Sequence, residues 1–193
     1  MSEIDKTPTD EEIVTMALSE HSSFGFLVER YEEKLKRYIN RLGVRNFDDQ
    51  LDVLQDIFIK TFKNLNSFDT SLSFSSWIYR IAHNEAISWY RKQNVRPEGH
   101  LVNNGEEVLG FVSNTEDTPD ITFDKSINAE TLNQALNKID GKYCEVLILR
   151  YFEHKEYEEI SDILKIPIGS VGTLLYRGKK QLYNVLNKEA VRI

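Results

Sequence analysis

The feature that most limits how this chain can fold is a stretch without periodicity, residues 97–125. It holds two of the four prolines, three of the nine glycines and many Asn, Asp, Ser and Thr residues. This composition is typical of a linker. We therefore predict two small domains of about 70 residues each instead of one shared core. The predicted segments are an acidic N-terminal tail (1–22), a first domain (23–96), a flexible acidic linker (97–125) and a second domain (126–193).

The negative charge of the chain is concentrated outside the two predicted domains. Residues 1–25 carry −5 and residues 97–125 carry −6, whereas residues 26–96 carry +3 and residues 126–193 carry +1, which together give the net charge of −7. Local charge patches, and not the net charge, decide whether a protein binds phosphates. The acidic total therefore does not exclude a nucleic-acid partner.

Apolar residues of the first domain recur at helical spacing in three segments. In residues 24–42 they form one stripe, and Gly43 follows as a helix stop. Residues 47–65 form a second helix with Asp48 and Asp49 at its start, where acids are favoured. The predicted core stripe of this second helix consists of Leu51, Leu54, Ile57, Phe58, Phe62 and Leu65. Residues 74–93 form the third helix.

The second domain is predicted to have four helices, at 128–139, 142–152, 156–165 and 169–188. The last two are separated by Ile-Pro-Ile, residues 166–168. A short helix, a tight turn and a longer basic helix make a helix-turn-helix. The predicted fold class is therefore all-α, with two small helical domains, the second carrying a helix-turn-helix.

The last helix has the characteristics of a DNA reader. Its apolar face, Val171, Leu175, Leu182 and Leu186, would pack on the preceding helices. The opposite side carries Thr173, Tyr176, Arg177 and Lys180. A helix of this width fits the major groove, where its start reaches base edges and its basic part contacts phosphates. The alternative is a solvated amphipathic helix at the end of the chain.

The helix at 74–93 also presents an unusual polar side. One side gathers apolar and aromatic residues, and the other carries Trp77, Arg80, Asn84, Ser88 and Arg91. Bases stack on aromatic rings, amides read base edges and Arg neutralises phosphates, a combination that favours unpaired nucleic acid over an intact duplex. Alternatively, Trp77 folds over the edge of the domain and the arginines are ordinary surface charges.

Three segments in this order resemble the sigma factors of bacterial RNA polymerase, in the sigma-70 superfamily. The resemblance is to the compact group called extracytoplasmic function (ECF) sigma factors. DDQLDVLQDIFIKTFKNL resembles the helix that binds core polymerase, and FDTSLSFSSWIYRIAHNEAISWYRK resembles the segment that melts and reads the promoter −10 element. The chain from Leu132 to Leu182 resembles the domain that binds the −35 element. The resemblance covers nearly everything outside the tail and the linker.

The resemblance implies three sets of contact residues. The −10 contacts would come from the loop 66–76 and the following helix, specifically Ser73, Phe74, Trp77, Arg80, Asn84, Ser88 and Arg91. The −35 contacts would be Ser170, Thr173, Leu174, Tyr176, Arg177, Lys179 and Lys180. The contacts to core polymerase would be Asp48, Asp49, Asp52, Gln55, Asp56 and Phe58. From the residues alone, this last set could equally be a solvated acidic stripe.

The chain departs from the family pattern at three positions. Lys165 stands where the family usually has Gly before the turn, and a left-handed non-glycine residue costs about 1 kcal/mol. Gly172 and Leu174 stand where the family often has basic residues. Fewer contacts near the helix start would change −35 preference and reduce the salt dependence of binding.

The expected function is a sigma factor that binds core RNA polymerase and directs promoter-specific initiation. The alternative is a stand-alone helix-turn-helix regulator that binds duplex DNA. We expect no enzymatic activity, since the histidines are scattered and there is no Gly-rich phosphate loop. We also expect no cofactor, no small-molecule substrate and no membrane insertion. The lone Cys144 predicts a disulfide-free cytoplasmic protein. The family resemblance implies an anti-sigma protein as a further candidate partner.

Overall fold

The computed structural model describes residues 7–93 and 129–190, and the regular elements in these residues are all helical. The prediction of an all-α fold is confirmed. The chain divides into two compact units, with the division after Gln93. The linker predicted at 97–125 lies outside the described residues.

The first unit contains four α-helices. They are α1 (Asp10–Ser19), α2 (Phe24–Arg41), α3 (Phe47–Lys63) and α4 (Phe74–Gln93), with short 3₁₀ turns at His21–Ser23 and Leu65–Ser67. α4 packs mainly on α3, and α2 packs on α1, α3 and α4. The core is formed by fully buried side chains from all four helices, including Ile13, Leu27, Leu35, Tyr38, Ile57, Phe74 and Ile78.

The predicted N-terminal tail contains a packed helix. α1 begins after Thr9, whose hydroxyl accepts a hydrogen bond from the Glu12 N–H at 3.2 Å, while the Glu12 carboxylate accepts from the Thr9 N–H at 2.7 Å. This capping box satisfies two amides at the helix start. Ile13, Val14 and Ala17 of α1 are all 0% exposed. Residues 10–19 therefore belong to the first compact unit, because burying this apolar side stabilises both α1 and the helices beneath it.

The turn between α2 and α3 depends on a glycine. Gly43 has φ +109°, and a Cβ there would lie 1.7 Å from the hydroxyl oxygen of Tyr90 on α4. Gly43 thus provides the helix stop predicted from sequence and also the room for Tyr90. Asn46 then caps α3, accepting hydrogen bonds from the Asp48 and Asp49 amides at 2.8 and 3.2 Å.

The predicted core stripe of α3 is wrong at two positions. Leu51 is 43% exposed and Phe62 is 38% exposed. The buried side of α3 instead consists of Gln50, Val53, Leu54, Ile57 and Thr61. The sequence places apolar residues on two sides of this helix, and only one side faces α2 and α4.

The second unit is built around the last helix. Its helices are α5 (Ala129–Leu136), α6 (Gly141–Leu147), α7 (Tyr157–Leu164) and α8 (Ile168–Ala190), with a π-helical turn at Ile148–Phe152 continuing α6. α8 packs on α5, α6 and α7. Gly178 permits the close approach to α6, since a Cβ there would lie 3.2 Å from side-chain atoms of Leu147 and Tyr143. The predicted four-helix arrangement is confirmed.

The turn between α7 and α8 has the predicted strained residue. Lys165 is left-handed, with φ 55° and ψ 43°, at a cost of about 1 kcal/mol relative to glycine. The Ser161 hydroxyl donates to the Ile166 carbonyl at 2.7 Å, and the Ser170 amide donates to the Pro167 carbonyl at 2.8 Å. These bonds fix the direction in which α8 leaves the turn.

Candidate nucleic-acid interface

The polar residues of α4 form one continuous stripe along the outer side of the helix. Asn84 and Arg91 are exposed, whereas Trp77, Arg80 and Ser88 are half-buried. We call these five residues the α4 stripe. Their common side follows from the burial of Ile78, Tyr79, Ala82 and Ala86 on the opposite side.

Phe74 is not available for the DNA contact that was predicted for it. Its side chain is 0% exposed. The ring packs edge-on against Tyr31 and Phe68, with centroids 5.6 Å away in each case. The first residue of α4 points to the same side as Ile78, so Phe74 belongs to the core. The prediction for this residue is therefore corrected.

Trp77 lies at the edge of the same aromatic cluster. Its ring centroid is 5.0 Å from that of Phe68 and 5.7 Å from that of Phe74. The indole is half-buried, so one part packs on the cluster and the rest faces outward. The ring is thus held in a defined position and still offers surface for a base to stack on.

The loop before α4 carries an exposed leucine that is not among the predicted contact residues. Asp69 accepts a hydrogen bond from the Ser71 amide at 2.9 Å, and the Leu72 amide donates to the Asp69 carbonyl at 3.0 Å. Hydrogen bonds from the Ser71 amide and hydroxyl lower the pKa of Asp69. Leu72 is 59% exposed at the tip of this turn. The sequence signal that could have indicated this exposed side chain is an apolar residue in an otherwise polar loop. Ser73, from the predicted set, is exposed and follows directly.

His83 is a packing residue beneath the α4 stripe. It is 7% exposed, and its Nδ1 has no hydrogen-bond partner in the described part of the chain. Burial lowers the pKa of His83 to about 4. The imidazole is therefore neutral at pH 7 and adds no charge to this side of the unit.

A hydrogen bond joins α4 to α3. Glu85 of α4 accepts it from Lys60 Nζ of α3 at 2.6 Å.

The outer side of α8 brings together most of the residues predicted for the −35 element. Tyr176 is 40% exposed, Arg177 and Lys180 are exposed, and Ser170 and Thr173 are half-buried. We call these five residues the α8 face. Val171, Leu175 and Leu182 are buried on the opposite side, which turns the α8 face outward.

Two residues of the predicted −35 set lie apart from the α8 face. Lys179 is half-buried, and its Nζ lies 5.3 Å from the ring centroid of Tyr151. A cation over an aromatic ring is attracted by the negative charge of the ring face. Leu174 is half-buried at the other border of the face. The sequence did not indicate the Tyr151 contact, since Tyr151 belongs to a separate π-helical turn.

The acidic residues of α3 lie together on its outer side. Asp48, Asp52, Gln55 and Asp56 are exposed, and Asp49 and Phe58 are half-buried. Large apolar side chains accompany them, and their exposure was not predicted: Phe47 (59% exposed), Leu51 (43%), Ile59 (41%) and Phe62 (38%). We call Asp48, Asp52, Gln55 and Asp56, together with Leu51 and Ile59, the α3 face. It combines negative charge with apolar surface.

One carboxyl group in the second unit has a strongly shifted pKa. Burial, reinforced by the charge of Asp140, raises the pKa of Glu145 to about 7. Burial, followed by the charge of Glu145, raises the pKa of the Cys144 thiol to about 12. A protonated thiol is a poor nucleophile and metal ligand. Within residues 7–93 and 129–190, no cluster of His, Cys, Asp and Glu could hold a metal ion.

Comparison with protein families gives two matches, one in each unit. The Sigma-70 region 2 model matches residues 27–96, and the Sigma-70 region 4 model matches residues 129–182. The RNA polymerase sigma factor YlaC of Bacillus subtilis is 32% identical over 162 residues, which are 84% of this chain and 91% of that protein. The chain belongs to the sigma-70 family of RNA polymerase sigma factors.

Further relatives place this sigma factor in the ECF group. The ECF RNA polymerase sigma factor SigW of Bacillus subtilis is 32% identical over 168 residues, covering 84% of this chain and 88% of that protein. The ECF RNA polymerase sigma-E factor of Haemophilus influenzae is 29% identical over 180 residues. As a member of this group, the protein directs promoter-specific transcription initiation. The stand-alone regulator considered from the sequence finds no support.

Solved structures show the same fold. The structure of CnrH in complex with the cytosolic domain of CnrY has a TM-score of 0.68 at 22% identity and covers 93% of this chain and 97% of that chain. The sigma factor RpoE of Bartonella quintana, solved with the anti-sigma factor NepR, has a TM-score of 0.63 at 20% identity and covers 85% of this chain and 96% of that chain.

In the part of this chain that the structure describes, no helix is long and apolar enough to cross a membrane.

The shifted pKa of Glu145 makes a prediction about stability. The pKa of an unfolded glutamate is about 4.3, so between pH 4 and 7 the folded protein binds more protons than the unfolded chain. The free energy of unfolding should therefore fall as the pH rises through this window. Glu145→Gln removes the titration and should raise the free energy of unfolding at pH 8 by about 3.5 kcal/mol. Thermal unfolding followed by circular dichroism between pH 5 and 8 measures both effects.

The matched control is Glu158→Gln, which changes an exposed glutamate of α7 in the same unit. This variant should keep the decline of stability between pH 5 and 8. If Glu145→Gln also kept the wild-type decline, the raised pKa of Glu145 would be contradicted.

Proposed function

We propose a division of promoter recognition between the two units of this sigma factor. The first unit binds core RNA polymerase through the α3 face and reads and melts the −10 element through the α4 stripe and loop 66–73. Loop 66–73 is the part of the predicted loop 66–76 that precedes α4. The second unit binds the −35 duplex through the α8 face. The proposed domain limits are 23–96 and 126–193, joined by the acidic segment 97–125, with α1 added to the first domain.

The arrangement of the α4 stripe is the observation that carries this proposal. A partly exposed indole stands at its start, and two arginines and an exposed amide follow on the same side of one helix. An unpaired base can stack on the indole, while Arg80 and Arg91 neutralise backbone phosphates. Asn84 has both a donor and an acceptor for a base edge. Together these groups suit a melted strand.

The α8 face supports the assignment of duplex binding to the second unit. Arg177 and Lys180 are exposed about one helical turn from Thr173 and Tyr176, so phosphate and base contacts are available from one helix in the major groove. Lys179 is directed to Tyr151, and Leu174 is apolar. We therefore propose fewer basic contacts in this interface than the sequence alone suggested.

The α3 face supports the proposed contact with polymerase. Exposed carboxylates beside exposed Leu51 and Ile59 suit a partner surface that is basic and partly apolar. Half-buried Phe58 would contribute at its border. On this proposal the exposed apolar residues of α3 become buried when the holoenzyme forms.

The remaining expectations follow from these partners. The chain supplies specificity and has no catalytic activity, cofactor or small-molecule substrate of its own. It would act in the cytoplasm, where polymerase and promoter DNA are. An anti-sigma protein is a further proposed partner, in line with the anti-sigma complex solved for the RpoE neighbour.

Substitution of Asn84 tests the role of the α4 stripe. Asn84 is exposed, so Asn84→Ala should leave the fold intact. With core polymerase and a host promoter that the reconstituted enzyme transcribes, we expect open-complex formation to fall about tenfold, the effect of one lost base-edge contact. Permanganate reactivity of the −10 strand measures melting, and fluorescence titration measures binding to core polymerase, which should be unchanged.

The matched control is Asn40→Ala, an exposed asparagine on α2, which should melt the promoter like the wild type. Equal loss of polymerase binding and melting in Asn84→Ala would contradict the assignment of the α4 stripe to DNA.

Removal of two basic residues tests the α8 face. Arg177→Ala with Lys180→Ala should weaken binding of the holoenzyme to the promoter and reduce the slope of log K against log salt by about two, because each phosphate contact contributes about one. Affinity for core polymerase should not change. Lys138→Ala with Lys142→Ala removes the same charge from the same unit and should leave the slope unaltered. Collapse of polymerase binding in the first double variant would contradict the division between the units.

A further inference from the structure

The first turn of α4 is held by a residue far away in sequence. The Phe74 amide donates a hydrogen bond to Glu11 Oε1 at 3.2 Å. The Ser76 amide donates to the hydroxyl of Ser73 at 3.3 Å. The first amides of a helix have no partner within the helix. In α4 the Ser76 amide is satisfied locally, by Ser73, and the Phe74 amide is satisfied by the Glu11 carboxylate of α1. The helix dipole also favours a negative charge at the start of a helix.

A second link joins α1 to the same place. Asp10 accepts a hydrogen bond from Arg30 at 2.5 Å and another from the Tyr31 hydroxyl. Tyr31 also hydrogen-bonds Ser75, the second residue of α4. Burial, and then the bond to Asp10, raise the pKa of Tyr31 above its ordinary value, so the hydroxyl keeps its proton and remains a donor.

The α1 helix contacts both ends of the loop proposed to read the −10 element. It packs on the 3₁₀ turn Leu65–Ser67, which begins the loop, and on α4, which follows it. The side chain of Phe74 then carries the contact to Trp77, at 5.7 Å between ring centroids. The family match in this unit begins only at residue 27, so α1, with Asp10 and Glu11, lies before it.

We propose that Asp10 and Glu11 are positioning residues for promoter melting, which hold loop 66–73 and the start of α4 in the geometry that reads the −10 strand. This proposal rests on the role of the α4 stripe given above. The acids do not contact DNA. They act by fixing the first turn of α4, so that Ser73, Leu72 and Trp77 face the strand together. The polymerase-binding side of α3 is not part of this network.

The test compares Glu11→Ala with Glu11→Gln in the full-length chain. In Glu11→Ala, exchange of the Phe74 amide proton, measured by NMR, should be about fivefold faster, the size expected for loss of one helix-capping bond. Open-complex formation with core polymerase should fall by a similar factor, and affinity for core polymerase should stay within about twofold of wild type. Glu11→Gln keeps an oxygen acceptor and should recover part of both losses, since the neutral bond is weaker.

The control is Glu20→Ala, which removes an exposed carboxylate just beyond the other end of α1 and should match the wild type in both measurements. Unchanged Phe74 exchange in Glu11→Ala would overturn the proposed contact. Faster exchange with normal melting would overturn the positioning role. Equal loss of polymerase binding and melting would also overturn it, because Glu11 would then only stabilise the fold of the first unit. The Asn84→Ala variant separately tests the α4 stripe, so failure of that assignment is recognised independently of Glu11.

Discussion

Burial of the apolar side of α4 against α2 and α3 determines how the first unit presents its polar groups. Phe74, Ile78, Ala82 and Ala86 are fully buried, and each large side chain contributes about 2 kcal/mol on leaving water. Because the helix cannot rotate without exposing them, the α4 stripe is fixed on the outside. The ion pair between Lys60 and Glu85, at 2.6 Å, further joins this helix to α3. One packing constraint therefore orients both the proposed DNA-reading side and the helix proposed to bind polymerase.

The second unit uses the same principle with a different central helix. Val171, Leu175 and Leu182 of α8 are buried, and Gly178 lets α8 approach α6 closely. The left-handed Lys165 sets the angle at which α8 leaves the turn. The α8 face is turned outward as a result. In each unit, a few buried apolar residues determine which polar residues face outward.

The helices of both units could be predicted from the sequence, because apolar periodicity depends only on local spacing. The position of individual side chains depends on distant partners and was harder to predict. Phe74 was assigned to DNA through the family resemblance, and the loop before α4 has no period that would reveal its buried direction. Leu51 was assigned to the core since α3 has apolar residues on two sides. The bond from Phe74 to Glu11 joins residues 63 positions apart, and no local pattern indicates such a contact.

The central claim is that this chain gives RNA polymerase its promoter specificity by reading two separate elements. The most direct measurement is transcription of fragmented host DNA by sigma-free core polymerase with the purified chain added, followed by sequencing of the transcript 5′ ends. We expect discrete start sites that share two upstream elements at a fixed spacing. Absence of stimulation, together with tight and specific duplex binding by the chain alone, would contradict it.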